Sequence, residues 1–365
     1  MRILVLEPYF GGSHRAVLDA LLPRLDAGHD LLTLPPRKWK WRMRGAAITM
    51  AEEVRELHRD GVRWDVVFAS TFVNLAEFRG LAADAVAGVP AIVYFHENQL
   101  LYPVRHTAEW DFQFPLTNIT SALSAERCLF NSRYNLEGFL GEIPGFLGRF
   151  PDHVPAGVVE RIAEKSEVLA PPFDPRPFDA TAVTRGARPR IVWPHRWEHD
   201  KAPETFFSAV VALAEEGLDF EVAVAGQAFA ETRDEMRAAA SVLGERLVHL
   251  GEPDGREAYA ELLASADIAV STARNEFFGL AMLEACYCGC YPLVPDRLAY
   301  PELYPDGFRY GGATPMREHD ALVARLRGLV MHPPEPHAAR SVAERFTIDR
   351  LLPEYERVFD AVARG

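Results

Sequence analysis

Cysteine is scarce in this sequence: Cys128, Cys286, Cys288 and Cys290 are the only four in 365 residues. That count excludes a disulfide-stapled scaffold and fits a reducing compartment with free thiols. Three of the four form a C-x-C-x-C run. Structural zinc sites more often use a two-residue gap and need a second Cys or His pair, which is missing here, so no metal is expected. The cysteines read instead as buried thiols at a helix-to-strand junction. Long apolar runs are missing too. The opening MRILVLEPYFGG has one basic residue and an apolar stretch too brief for a signal peptide or a membrane span. It reads as the first buried strand of an α/β domain, and a cytoplasmic protein with no membrane partner is expected. Nor is there a fixed-period repeat, a low-complexity tract, a heptad pattern or a complete G-x-G-x-x-G, which leaves dinucleotide binding without its sequence mark. Positive charge is outnumbered, with 39 Lys and Arg against 52 Asp and Glu and a net charge of −13. A general positive field for coating nucleic acid is therefore excluded, though a local basic patch is not.

Apolar runs alternating with helical stretches dominate what remains, the βαβ rhythm of a parallel sheet. In the first half, strands are predicted near 2–7, 30–34, 65–70, 91–95, 127–130 and 166–169. Helices are predicted over 13–25, 46–60, 74–87, 115–124 and 133–141. Four prolines within Pro171–Pro177 cannot continue a helix or enter a central strand and predict a stiff linker. A second series follows, with strands at 190–194, 220–225, 247–250, 267–271 and 291–294. Its helices are predicted at 203–216, 230–243, 255–264 and 279–288. The expected fold class is α/β, with two Rossmann-like domains facing across a cleft. Residues 1–171 form the first domain and 172–347 the second, and a C-terminal helix in 348–365 packs back over the junction.

The strongest chemical signal is Ser271-Thr272-Ala273-Arg274-Asn275-Glu276-Phe277-Phe278-Gly279-Leu280-Ala281-Met282-Leu283-Glu284. A strand ends in a small polar turn and a helix opens near Gly279. Backbone N–H groups of Phe278, Gly279 and Leu280 at a helix start favour an anion such as a sugar diphosphate. Glu284, about a turn into the helix, is placed to accept hydrogen bonds from ribose hydroxyls, and Glu276 to hold those of a sugar. Upstream, Trp193-Pro194-His195-Arg196-Trp197-Glu198-His199-Asp200-Lys201 follows another strand of the same domain. Arg196 and Lys201 bring two positive charges to the same diphosphate, arginine as a bidentate fork and lysine as a point charge. A helix cap with solvated acids and surface cations is the bland alternative, and the two segments together outweigh it.

In the first domain, Gly11-Gly12-Ser13-His14 follows strand one. Paired glycines permit close backbone approach to a ligand, and Ser13 can cap the next helix. A plain βα turn is the competing reading. His96, Glu97, Asn98 and Gln99 close the fourth strand, and polar groups at a strand's carboxyl end favour a substrate role. Arg37-Lys38-Trp39-Lys40-Trp41-Arg42-Met43-Arg44 gathers five cations and two indoles without an acid, a loop suited to phosphates and stacked bases. A solvated basic loop with inward indoles is its alternative.

Seven stretches together resemble the tRNA-queuosine mannosyltransferases, which are similar to family 4 glycosyltransferases. They are Glu7–Arg15, Arg37–Arg44, Tyr94–Pro103, Phe130–Leu136, Arg196–Lys201, Ser271–Glu284 and Cys288–Glu302. The histidine-containing YFHENQLLYP and the EFFGLAMLEACYCGCYPLVP block are the most specific, and the match is weakest over 303–365. The resemblance implies a GT-B fold, retention of configuration at the transferred sugar, a nucleotide-sugar donor such as GDP-mannose and no obligatory metal. It also implies that Arg196 and Lys201 bind the diphosphate, Glu284 the ribose and Glu276 the sugar, with His96 near the reacting carbon. In that family front-face departure and attack account for retention, with the leaving phosphate helping to deprotonate the acceptor. The acceptor it implies is queuosine in tRNA, with Arg37 to Arg44 as the tRNA contact. One position departs from the pattern: a histidine is expected before the first glutamate, and Asn275 stands there. Two other readings compete: a same-fold transferase with a small-molecule, lipid or glycan acceptor, and a non-catalytic RNA-binding protein on the same scaffold.

Overall fold

The computed structural model describes residues 1–103, 111–181, 183–226 and 233–365. It divides into two compact units, one of Met1–Phe173 with Ile348–Gly365 and the other of Asp174–Thr347. Of the helix expected at 230–243, residues 230–232 lie outside the described residues, and Arg233–Leu243 is helical.

The first unit is built on six strands: β1 (Arg2–Glu7), β2 (Gly28–Thr33), β3 (Val66–Ser70), β4 (Ala91–Phe95), β5 (Arg127–Phe130) and β6 (Ser166–Val168). All pair in parallel, in the order β2-β1-β3-β4-β5-β6. The sequences VVFAS and AIVYF of β3 and β4 are buried at every residue. Strands covered on both faces by helices need continuous rather than alternating apolar side chains. The strand order reverses between β1 and β3, and such a switch point opens a crevice at the strands' carboxyl ends.

Four helices of this unit matter below: α1 (Gly12–Leu21), α2 (Trp39–Arg59), α3 (Gln113–Ser124) and α4 (Arg133–Leu147). Helix α2 starts seven residues before the predicted 46, so the basic stretch is the opening of a helix and not a loop. The cause is periodic: Met43, Ala46, Ala47, Met50, Ala51 and Val54 are all buried along one face, and that stripe runs back through the cations. The helix predicted over 74–87 breaks at Ala82 into two short ones. Phe173 is fully buried and Pro177 lies in the first turn of a short helix, so the proline-rich stretch is packed rather than an extended spacer.

The last helix, α8 (Ile348–Arg364), belongs to the first unit. It buries Ile348, Leu351, Tyr355, Val358, Phe359 and Val362 along one face. Within the first unit, Phe359 meets Phe68 edge-on with centroids 5.3 Å apart, and the Tyr355 hydroxyl donates to the Ala170 carbonyl at 2.9 Å.

The second unit carries β7 (Arg190–Trp193), β8 (Glu221–Ala225), β9 (Leu247–Gly251), β10 (Ile268–Val270), β11 (Tyr291–Pro295) and β12 (Arg309–Tyr310). Its order is β12-β11-β10-β7-β8-β9, parallel throughout, with the reversal between β7 and β10. Two-residue β12 is too short to leave a pattern in the sequence. Helices α5 (Pro203–Glu215), α6 (Gly255–Ala264) and α7 (Leu280–Tyr287) flank the site, and Pro315–Met331 adds a helix outside the sequence expectation. All four cysteines are buried and free. Burial pushes the Cys128 and Cys286 thiols up to about 12, so they are unreactive at neutral pH. No helix among the described residues is long and apolar enough to cross a membrane.

Candidate active site

The switch point of the second unit joins the two segments singled out in the sequence. The Asp200 carbonyl, after β7, accepts the Arg274 N–H at 2.7 Å and the Asn275 N–H at 3.2 Å, after β10. Thr272 Oγ1 donates to the Lys201 carbonyl at 2.7 Å and accepts from Trp193 Nε1 at 3.1 Å. These bonds hold Lys201 Nζ at 2.7 Å from the Asn275 carbonyl and 3.3 Å from both Glu276 Oε2 and Asp200 Oδ2. Burial works against the lysine's charge, but the Glu276 and Asp200 carboxylates outweigh it and hold its pKa above the ordinary lysine value. The Asn275 side chain, where a histidine was expected, is buried, and its main chain engages both Asp200 and Lys201.

Helix α7 begins at Leu280 with Gly279 as its cap at φ +95°, a left-handed conformation that L side chains rarely adopt. A Cβ there would also lie 3.1 Å from the Tyr300 ring. The Phe278 N–H does not point outward as expected: it donates to Glu276 Oε1 at 3.3 Å, so in this state Glu276 bridges the helix start and Lys201. Arg196 is set apart at the surface, with Nη1 3.2 Å from Glu198 Oε1, although its charge is felt at Lys201.

Glu284 is buried, and its Oε1 lies 2.5 Å from Arg256 Nη2 on helix α6. Arg256 in turn lies over the Phe178 and Tyr259 rings at 4.8 and 5.7 Å. Burial raises the Tyr259 hydroxyl well above the usual tyrosine value, with the Glu284 charge adding to it, so that hydroxyl stays a donor. Arg256 and Tyr259 went unread in the sequence because no short motif links them to Glu284, 28 positions from Arg256.

His195 is buried between the two strands' loops, edge-on to Trp193 with centroids 5.2 Å apart. Burial, with the nearby Lys201 charge, lowers its pKa to about 3. The folded protein therefore refuses a proton that the unfolded chain binds near its ordinary pKa of about 6.5, and stability falls as pH drops below that value. Going from pH 7 to pH 5 should cost about 2 kcal/mol at this residue alone. Urea denaturation at both pH values checks it, with His195→Phe expected to flatten the difference and an unchanged difference counting against it.

In the first unit, the carboxyl ends of β1, β3 and β4 bring together Glu7, Tyr9, His14, Phe72 and His96. Glu7 and His14 are buried, with Glu7 Oε2 3.0 Å from His14 Nδ1. His14 lies against the His96 ring, centroids 4.0 Å apart and planes 32° from parallel. Enclosure and the neighbouring His14 hold the His96 pKa well below the usual histidine value. One ligand atom from each of Glu7, His14 and His96 falls within 4.8 Å of the others, the candidate metal cluster among the described residues. The two imidazoles lie against each other as a tilted ring pair. Glu7 was not singled out in the sequence, where the glycines after it drew attention.

Several first-unit expectations change. Ser13 does not cap α1: the cap is Gly11, without a side-chain bond, and Ser13 is an exposed residue of the first turn. Gly11 is needed for packing, since a Cβ there would sit 2.5 Å from Pro36, while Gly12 takes the left-handed φ of +52°. Asn98 is fully buried and structural. Its Nδ2 donates to Asn135 Oδ1 at 2.7 Å and its Oδ1 accepts the Leu100 and Leu101 N–H groups. Asn131 Nδ2 donates to the His96 carbonyl at 2.7 Å, so this buried amide network fixes the loop that carries His96 and the half-buried Glu97.

The basic segment divides. Trp39 packs inward on Phe72 and Phe114 with centroids 6.4 and 5.1 Å away, while Trp41 is 67% exposed. Arg37, Lys38 and Arg44 are exposed and Lys40 and Arg42 half-buried. Arg44 is ion-paired to Asp111, and Arg42 Nε donates to the Pro35 carbonyl at 3.1 Å.

Comparison with known proteins identifies the lineage. Residues 2–173 match the tRNA-queuosine alpha-mannosyltransferase N-terminal domain, and residues 179–346 match the glycosyl transferases group 1 domain. The tRNA-queuosine alpha-mannosyltransferase of Drosophila melanogaster is 36% identical over 98% of this chain and 96% of its own length. The chain belongs to the tRNA-queuosine alpha-mannosyltransferase family. It is a glycosyltransferase. A GDP-mannose-dependent alpha-(1-6)-phosphatidylinositol dimannoside mannosyltransferase of Mycobacterium tuberculosis is 31% identical over 52% of this chain and 50% of that one. HepE of Anabaena, crystallised with UDP, superposes with a TM-score of 0.69 at 15% identity, covering 99% of this chain and 100% of that one. With two parallel six-stranded sheets, this member of the mannosyltransferase family has the GT-B glycosyltransferase fold.

Proposed function

We propose that this chain transfers mannose from GDP-mannose to queuosine in tRNA, with retention of configuration. The observation that carries the reading is the 36% identity to the Drosophila enzyme along nearly the whole chain. The name of the mycobacterial relative supports GDP-mannose as donor. In this reading the second unit takes the donor and the first the acceptor, in the cytoplasm. Lys201 and Arg196 offset the charge of the departing diphosphate, which makes a metal unnecessary. Glu284 accepts from the ribose hydroxyls, Glu276 swings from Phe278 to the sugar, and His96 faces the reacting carbon. The acceptor hydroxyl loses its proton to the leaving phosphate as its oxygen bonds to the sugar carbon.

The start of α2 supports an RNA acceptor. Its first turn contains no acid and its N-cap Lys38 has a left-handed φ of 58°. Cations at the positive end of a helix are locally unfavourable, and a bound anion reverses that penalty. Trp39 also ties this turn to Phe72, which lies 5.2 Å from the His14 ring. Phosphates held at α2 would thus lie on the same unit as His96.

The test incubates the chain with radiolabelled GDP-mannose, in EDTA, and tRNA either bearing or lacking queuosine. Label on the queuosine-bearing tRNA alone is expected, whereas turnover without any RNA would favour a small acceptor. Trp41→Ala should weaken tRNA binding several-fold, since base stacking on an aromatic is worth about 1–3 kcal/mol. Arg37→Glu should reduce the salt slope of binding by about one. Filter binding across a salt series reads both, and affinity unchanged in both variants would remove α2 from the acceptor surface.

A further inference from the structure

We propose that Glu7 and His14 are positioning residues for His96, forming a carboxylate–imidazole–imidazole stack that fixes the ring facing the reacting sugar. The proposal rests on the mannosyltransferase reading above for the role of His96, and on geometry for the rest. A carboxylate only accepts hydrogen bonds, so the 3.0 Å contact between Glu7 Oε2 and His14 Nδ1 puts the shared proton on Nδ1. The other oxygen, Oε1, accepts the Tyr9 N–H at 2.9 Å, so the carboxylate cannot turn. Tyr9 comes from the β1–α1 connection and His14 from the first turn of α1, and Glu7 itself is buried at 1% exposure. The His14 ring thus has a fixed tautomer and a fixed plane.

The His14 and His96 ring centroids are 4.0 Å apart with planes tilted by 32°, and the Tyr94 ring centroid lies 4.6 Å from that of His96. Asn131 holds the His96 carbonyl, so the backbone is fixed by a hydrogen bond while the ring is confined between His14 and Tyr94. A ring gripped in this way presents the same edge at every turnover, which is what pre-organisation of a reacting group requires. The Glu7–His14 pair is buried beside the half-buried His96 and stands outside the apolar core cluster of the sheet.

The experiment uses the full chain with GDP-mannose and queuosine-bearing tRNA, comparing Glu7→Ala, Glu7→Gln and His14→Phe. Glu7→Gln keeps an acceptor oxygen for His14, and His14→Phe keeps a flat ring in the stack without its nitrogen. At metal sites, residues that orient a ligating histidine typically cost about 10- to 100-fold in activity when removed, and the same scale is taken for a histidine oriented here. Glu7→Ala and His14→Phe should therefore lower kcat by at least about tenfold with the donor KM nearly unchanged, a split that uniform loss of binding does not give. Glu7→Gln should restore most of kcat. In parallel, 15N spectra of the histidine rings should place the His14 proton on Nδ1 in the wild type. The His96 signals should move in Glu7→Ala and His14→Phe and return in Glu7→Gln.

Unchanged kcat in His14→Phe, or losses that merely follow a fall in Tm, would overturn the proposal. So would one equivalent of Zn²⁺ that copurifies with the wild type and is lost in His14→Phe, which would make the cluster a metal site. The ring spectra need no turnover. If the wild type fails to modify tRNA while the spectra behave as stated, the acceptor reading fails and the stack stands. If transfer proceeds and the His14 proton lies on Nε2, the stack fails and the acceptor reading stands.

Discussion

Glu284→Ala should remove the thermal shift that GDP is expected to give the wild-type protein, and Arg256→Ala should destabilise the protein more than Glu284→Ala does. The first expectation rests on the proposed recognition of the ribose by Glu284. A ligand at 100 times its dissociation constant stabilises by about 2.7 kcal/mol, a shift easily read by differential scanning fluorimetry. Glu284 has 5% of its side chain exposed, so its remaining acceptor positions are directed and dry, where a lost hydrogen-bond partner costs most. The second result follows from which charge is left behind. Arg256→Ala strands a buried carboxylate, whereas Glu284→Ala strands a guanidinium whose side chain is 40% exposed and can hydrate. Removing one partner of a fully buried pair costs 3–5 kcal/mol, and the half-open arginine lowers the expected cost of Arg256→Ala to about 2 kcal/mol. Urea denaturation of the two single variants and the double variant measures the coupling. A full GDP shift in Glu284→Ala would end the ribose assignment. Costs near zero for both single variants, with no coupling between them, would mean the pair is solvated and energetically slight.

How much of this was readable in the sequence follows from which physical signals are local. The strands were readable because VVFAS and AIVYF are continuous apolar runs bounded by helical segments. The Ser271–Glu284 segment was readable because a polar strand end, a glycine and a helix start follow one another within fourteen residues. The start of α2 was obscured because five cations hide the apolar stripe that continues beneath them from Met43 to Val54. Trp39 and Trp41 look alike in the sequence, yet two residues on a helix is about 200°, so one indole faces the core and the other water. Arg256 and Glu7 act only through partners that the fold delivers, Arg256 from another helix and Glu7 across a βα turn. Asn98 erred the other way: a polar residue at a strand's carboxyl end looks available, and only the positions of Asn135 and Asn131 reveal a buried network.

Lys201→Met should lower kcat by about 10²- to 10³-fold, the usual loss when one preorganised charge facing a developing anion is removed. Lys201 Nζ already sits among the Asn275 carbonyl, Glu276 and Asp200, so its charge is in position before any donor binds. Methionine keeps the length of the stem and leaves Glu276 and Asp200 facing each other without a cation. Both carboxylates would then also repel the diphosphate, and the donor KM should rise along with the fall in kcat. Lys201→Arg should not rescue, because a planar fork cannot occupy the place of a point charge with three oxygens at 2.7 to 3.3 Å. The pH dependence separates this residue from His195. A lysine whose pKa is raised by folding contributes stability that is fully present below the unfolded value near 10.4 and lost only as pH rises through the folded one. Lys201 therefore stays charged across the neutral range, and the variant's loss of kcat should be the same at pH 6 as at pH 8. A loss that shrank at the alkaline end of that range would mean the wild-type amine gives up its charge there and that the carboxylates do not hold its proton. A Lys201→Met enzyme within tenfold of wild type, with Tm retained, would leave charge compensation to Arg196 and take Lys201 out of the chemistry.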